Sequence, residues 1–122
     1  MIHHDVIVAQ SDCVVAEHLA AQLHSYFRNI CVARDLDEVR HIIYRGGAGI
    51  VILDLDLADY GELRALTSEF HSVGFVCTHR LPDEQMWRET LSAGGIDCCA
   101  HDDIHQIVRA SRRVRPAFHA AA

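Results

Sequence analysis

Asp54 closes the most apolar stretch of the chain, Ile50 to Leu53, so a carboxylate emerges where a hydrophobic run stops. A partly buried carboxylate in that position can serve as a nucleophile, a metal ligand or an ion-pair partner. Asp56 and Asp59 follow closely and suit loop solvation or helix capping. Other reactive side chains stand at the ends of other apolar runs. Gln10, Ser11 and Asp12 follow "DVIVA", Thr78 and His79 close "VGFVCT", and His101 and Asp102 follow "IDCCA". His79 and His101, with Cys77, Cys99 and Asp54, have the donor types that suit zinc. Yet no Cys-x-x-Cys or His-Glu-x-x-His spacing is present, and strand alternation directs Cys77 and Cys99 into packing. His101 and His105 straddle a strand end and a helix start, and Cys98-Cys99 suits packing rather than a strained disulfide between neighbours.

Composition narrows the chemistry. All 11 residues of the Lys+Arg count are arginine, so a lysine Schiff base, a phosphate-loop lysine and a lysine switch are excluded. The 17 Asp+Glu leave a formal charge of -6 with histidine neutral, a poor balance for nucleic acid or anionic membrane. The 10 histidines make that charge sensitive to pH between about 5 and 8. No stretch is long enough to span a bilayer, and the start "MIHHDVIVAQ" lacks the basic end and apolar block of a signal peptide. Cys31, Cys77, Cys98 and Cys99 sit in apolar surroundings, as buried free thiols of a cytoplasmic protein do. The 122 residues make one domain with a real core.

The elements that position these groups alternate. Strands are expected over Asp5 to Ala9, Asn29 to Ala33, Ile50 to Leu53, Val73 to Thr78 and Ile96 to Ala100. The first helix carries Val15, Leu19, Leu23 and Phe27 at four-residue intervals behind an Asp12 cap. The second has Leu36, Val39, Ile42 and Ile43 on its apolar face, with a capping-box spacing from Asp35 to Glu38, and ends at Gly46-Gly47. The third uses Leu63, Leu66 and Phe70. The fourth begins at Pro82, turns Met86, Trp87 and Leu91 inward, and stops at Gly94-Gly95. The last is capped by Asp102 or Asp103, buries Ile104, Ile107 and Val108, and ends at Pro116. Its arginines, Arg109 to Arg115, complement the helix dipole. Strict alternation implies an α/β fold with a parallel sheet covered on both faces. Function in such sheets gathers at the carboxyl ends of the strands, which is where the reactive side chains fall.

The segment "IVILDLDLADYGEL" resembles the third-strand signature of the receiver domain of two-component response regulators. "VCTH" is similar to the family's fourth strand, and "LSAGGIDCCAHDD" to its passage from the fourth helix through the fifth strand. The resemblance spans Asp5 to Arg113. It implies a doubly wound, flavodoxin-like sheet of five strands in the order 2-1-3-4-5 with five helices. A receiver-like domain is expected over residues 1–115, and the small, weakly apolar end "RPAFHAAA" reads as a flexible tail over 116–122. Asp54 falls at the phosphoacceptor position and Thr78 at the hydroxyl that contacts the phosphoryl group.

The departures matter as much. Gln10 and Ser11 stand where receivers hold magnesium with two acids, and Asp12 falls one step later. That leaves a degenerate site of Asp54, Gln10, Ser11 and Asp12, holding magnesium weakly or not at all. His101 takes the place of the family's lysine in the register that also matches Ala93-Gly94 to the family's Ala-Gly pair, or Asp102 does if the register moves by one; Cys98 takes that of its switch aromatic, and Ala58 that of a common proline. Phosphoryl transfer needs charge neutralisation, and two of its sources are missing. The expectation is an atypical receiver without enzymatic activity beyond, at most, autophosphorylation at Asp54. It would bind a histidine kinase or downstream effector, or pair with itself through the face of the fourth helix, fifth strand and fifth helix, with Arg88, Arg109 and, if it is exposed rather than core, Trp87 as interface candidates. A working phospho-receiver, and the amino-terminal pseudo-receiver of a larger regulator or pilus-assembly ATPase, remain alternatives. A protonated His101 is expected to pair with Asp54.

Overall fold

A computed structural model describes residues 3–113. The first run of β-branched residues forms β1 (His4–Ala9), followed by α1 (Cys13–Leu23), β2 (Ile30–Ala33) and α2 (Leu36–Gly46). Then come β3 (Ala48–Asp54), α3 (Tyr60–Glu69), β4 (Gly74–His79), α4 (Glu84–Ser92), β5 (Asp97–Ala100) and α5 (Ile104–Arg112). All strand pairings are parallel and the order is β2-β1-β3-β4-β5. The doubly wound α/β fold expected from the alternation is the one observed. The expected stop at Pro116, Arg115 and the tail over 116–122 lie outside the described residues.

Alternation along the strands divides the core into two layers. Ile7, Ala9, Val51, Leu53, Phe75 and Cys77 face one way and meet Val39 and Ile43 of α2, Leu63 and Leu66 of α3, and Ala93. Val6, Val8, Ile50, Ile52, Val76 and Cys99 face the other way and meet Ala16, Leu19 and Leu23 of α1, with Ile107, Val108 and Ala110 of α5. A strand buried on both faces must be apolar throughout, which is why β3 reads as a continuous run before its terminal Asp.

Aspartates start every helix. Asp12, Asp35, Asp59, Asp83 and Asp103 each accept a backbone N–H of the first turn. The reciprocal capping box belongs to Asp59 and Glu62; Glu38 instead reaches back to the Arg34 N–H, one residue too early. Three further expectations are corrected. Helix α4 begins at Glu84, because Asp83 supplies the cap and Pro82 stands before it. Trp87 and Leu91 point outward, 44% and 38% exposed, since Thr90 and Ala93 occupy the buried side of that turn. Phe27 lies beyond the end of α1, yet still packs against its core layer.

Candidate functional site

The register of the sheet gathers the strand-end residues. Asp54 pairs with Thr78 across β3 and β4, and Ala9 pairs with Leu53, so Gln10 emerges beside Asp54 on the other side. His79 pairs with Ala100, which carries the chain into His101. These residues line one cleft of about 200 Å³, together with Ser11, Asp12, Asp56 and Arg80. Asp54, Thr78, His101, Gln10, Ser11 and Asp12 are therefore brought together as the sequence suggested. Arg80 was not foreseen; its only signal is its place directly after His79.

Asp54 is 8% exposed and accepts hydrogen bonds at both carboxylate oxygens. Ser11 donates its backbone N–H (2.9 Å) and its hydroxyl (2.6 Å) to Oδ2. The Asp56 N–H donates to Oδ1 at 2.9 Å. Buried carboxylates need such donors, because an unpaired buried charge is costly. The Asp54 carbonyl accepts from Leu57 and Ala58, forming the turn that leads to α3, so Ala58 serves the bend without proline.

Thr78 is fully buried beneath the cleft, and its hydroxyl is engaged by Gln10. Gln10 Nε2 donates to Thr78 Oγ1 at 3.0 Å, and the hydroxyl donates back to Gln10 Oε1 at 3.3 Å. Residues from β1 and β4 thus meet over the end of β3. Neither composition nor spacing signals this pairing; it follows only once both strands are placed on either side of β3.

The expected His101–Asp54 ion pair is not formed. Among the described residues, Asp54 makes no ion pair, and its oxygens are already occupied by Ser11 and Asp56. The histidine–carboxylate approach lies at the rim instead, with His79 Nε2 3.8 Å from Asp56 Oδ1. Asp56 stays exposed in its loop, as the sequence suggested. His79 Nδ1 accepts the Leu81 N–H at 3.2 Å, so the neutral ring carries its proton on Nε2.

The residues do not fit the magnesium ion that the resemblance implies. The Asp12 carboxylate caps α1, Gln10 is paired with Thr78, and Asp54 is left as the one acid of the strand ends, already accepting three intrachain hydrogen bonds. Among the described residues no group of three or more His, Cys, Asp or Glu is placed to hold a metal. Cys77 and Cys99 lie in opposite core layers, as alternation required. Burial pushes both thiols up, Cys99 to about 12, with the Asp97 charge adding to the effect, so neither supplies a thiolate.

The interface candidates lie on exposed surfaces. Trp87 is exposed, Arg88 pairs with Glu84 at 2.7 Å, and Arg109 makes no ion pair among the described residues. The neighbouring arginines have structural tasks. Arg113 pairs with the buried Asp97, and Arg112 stands 5.8 Å over the Tyr26 ring. No helix is long and apolar enough to cross a membrane among the described residues.

No protein-family model and no curated protein matches the chain. Solved structures do. The chain is similar to the receiver domain of the Francisella response regulator 1452, with a TM-score of 0.80 at 16% identity over 94% of this chain and 98% of that one. It is similar to the signal receiver domain of a LuxO repressor protein from Vibrio parahaemolyticus, with a TM-score of 0.81 at 12% identity over 99% of each chain. A response regulator from Burkholderia pseudomallei, solved with a phosphorylated aspartic acid, a calcium ion and citrate, aligns with a TM-score of 0.75 at 15% identity, over 94% of this chain and 72% of that one. In strand order and in the alternation of its five strands and five helices, the chain has the receiver-domain fold of response regulators.

Proposed function

We propose that the chain is an atypical receiver of two-component signalling that works chiefly by binding another protein, with a degenerate phosphorylation site at Asp54. The engagement of Asp54 by donors of its own chain carries this reading. Its carboxylate is held by Ser11 and Asp56, where a metal and a lysine would otherwise share it. Transfer of a phosphoryl group to that carboxylate competes with these donors, and neither the lysine nor the metal-holding acidic pair that the resemblance implies for that step is present. Thr78 is engaged by Gln10 and must leave that partner to reach a phosphoryl group. The exposed Trp87 and Leu91 on α4 supply an apolar surface for a kinase, an effector or a second copy.

Beryllofluoride with magnesium is the direct test, because it caps a phosphoacceptor carboxylate. Amide shifts of α4 and β5 are expected to stay unchanged. Saturable shifts that disappear in Asp54→Asn would show a working phospho-receiver instead. The second reading has one observation in its favour, the Asp54–Thr78 register pair facing an open cleft.

A further inference from the structure

We propose that Ser11, not Asp54, is the nucleophile of the cleft, with Asp54 as its general base and a small phosphodonor of the acyl phosphate class as its substrate. The proposal rests on reading Asp54 as a degenerate acceptor and assigns a different covalent chemistry to the same cleft. The Ser11 hydroxyl is the one strongly polarised nucleophile there. It donates to Asp54 Oδ2 at 2.6 Å, and Ser11 itself is exposed to an incoming reagent. A hydroxyl held by a carboxylate is the arrangement in which an Asp takes the proton of an attacking alcohol. The second Ser11 contact, its N–H to the same oxygen at 2.9 Å, fixes the serine against the base. Asp54 is held in turn by the Asp56 N–H on its other oxygen, so the pair is oriented from both sides.

A phosphoryl group suits the rest of the cleft. Arg80 and His101 line it, and His79 stands at the rim opposite Asp56. Arginine and protonated histidine supply positive charge to equatorial phosphoryl oxygens. In the step, Ser11 Oγ attacks phosphorus and the Oγ–P bond forms. The bond from phosphorus to the acyl oxygen breaks, and the carboxylate leaves with its electron pair. The hydroxyl proton passes to Asp54 Oδ2, already its hydrogen-bond acceptor, and then to solvent. The product is a phosphoserine monoester, which survives hydroxylamine; an aspartyl phosphate does not.

The test is incubation of the full chain with acetyl phosphate and magnesium, read by intact mass and peptide mapping before and after hydroxylamine. A hydroxylamine-stable phosphoryl group on the Ser11 peptide is expected, absent in Ser11→Ala and retained in Ser11→Thr. Its rate should fall about a hundredfold or more in Asp54→Asn, the loss typical of a missing general base. Thermal unfolding of each variant controls for folding. A hydroxylamine-labile group that persists in Ser11→Ala overturns the proposal and also the degenerate-acceptor reading. Absence of any phosphoryl group overturns the proposal alone, because the beryllofluoride result stands independently.

Discussion

At the scale of single residues, four polar side chains of the cleft are committed to one another in two pairs. Gln10 holds Thr78, and Ser11 holds Asp54. Replacing Gln10 by Glu and Ser11 by Asp would put a second and third carboxylate beside Asp54. Like charges crowded at that strand end repel, and the Ser11 hydroxyl donor is lost at the same time. The double variant is therefore expected to melt below wild type in chelator, and to regain stability as magnesium is added, because a ligand that binds only the folded state stabilises it. Wild type should show little change. Thermal unfolding at several magnesium concentrations checks this, and equal responses of the two proteins would contradict the assignment of Gln10 and Ser11 as lost metal positions. Asp54, Thr78, Ser11 and Gln10 were legible in the sequence because each follows an apolar run. Their pairings were not, because a hydrogen bond between residues 68 positions apart depends on strand order. The same blindness produced the expected His101–Asp54 pair. Charge suggested it, and the backbone N–H and hydroxyl of Ser11 outcompeted it.

At the scale of elements, the junction between α4 and β5 is tightly specified. Gly94 has φ 97, and a Cβ there would fall 2.6 Å from Thr67 Oγ1. Thr67 cannot yield cheaply, because its hydroxyl donates to the Ala93 carbonyl at 2.7 Å and ties α3 to the end of α4. Gly94→Ala is expected to cost about 1–3 kcal/mol from the left-handed backbone alone, with the clash in addition. Urea unfolding measures it, and Thr67→Ala should recover part of the loss only in the Gly94→Ala background. Asp59→Ala removes a complete capping box and is expected to cost about 1 kcal/mol. The caps at Asp12 and Asp35 were legible, since Asp before an amphipathic run is a direct chemical signal, whereas the Asp83 cap was hidden by Pro82 beside it. The orientation of α4 was the least legible. Met86, Trp87 and Leu91 suggested an inward stripe, but burial of Thr90 and Ala93 turned Trp87 and Leu91 to the surface. A Trp87→Ala variant should leave unfolding nearly unchanged and weaken self-association or partner capture, measured by sedimentation and by titration with a candidate kinase or effector.

At the scale of the whole molecule, the fold was legible almost completely, because strict alternation of strand and helix leaves few parallel topologies. Its buried thiols give that architecture a pH limit. Burial raises Cys77, Cys98 and Cys99, Cys99 from 9.0 to about 12. Between those values the folded chain keeps protons that the unfolded chain releases. The thiols' stabilisation is thus complete below about pH 9 and is lost as pH rises towards 12. Tyr60, also raised chiefly by burial, acts in the same direction above its ordinary value. Urea midpoints should fall from pH 8 to about pH 10.5, and Cys99→Ala should flatten that slope. The strand order has another consequence, for assembly during synthesis. β1 pairs with both β2 and β3, so the first three strands hold all their mutual contacts once Asp54 has been made. Thr78 and His101 arrive on strands added afterwards at one edge. The cleft therefore straddles a seam: a nascent chain carries its nucleophile and base before it carries the floor and far wall of the pocket that confines them.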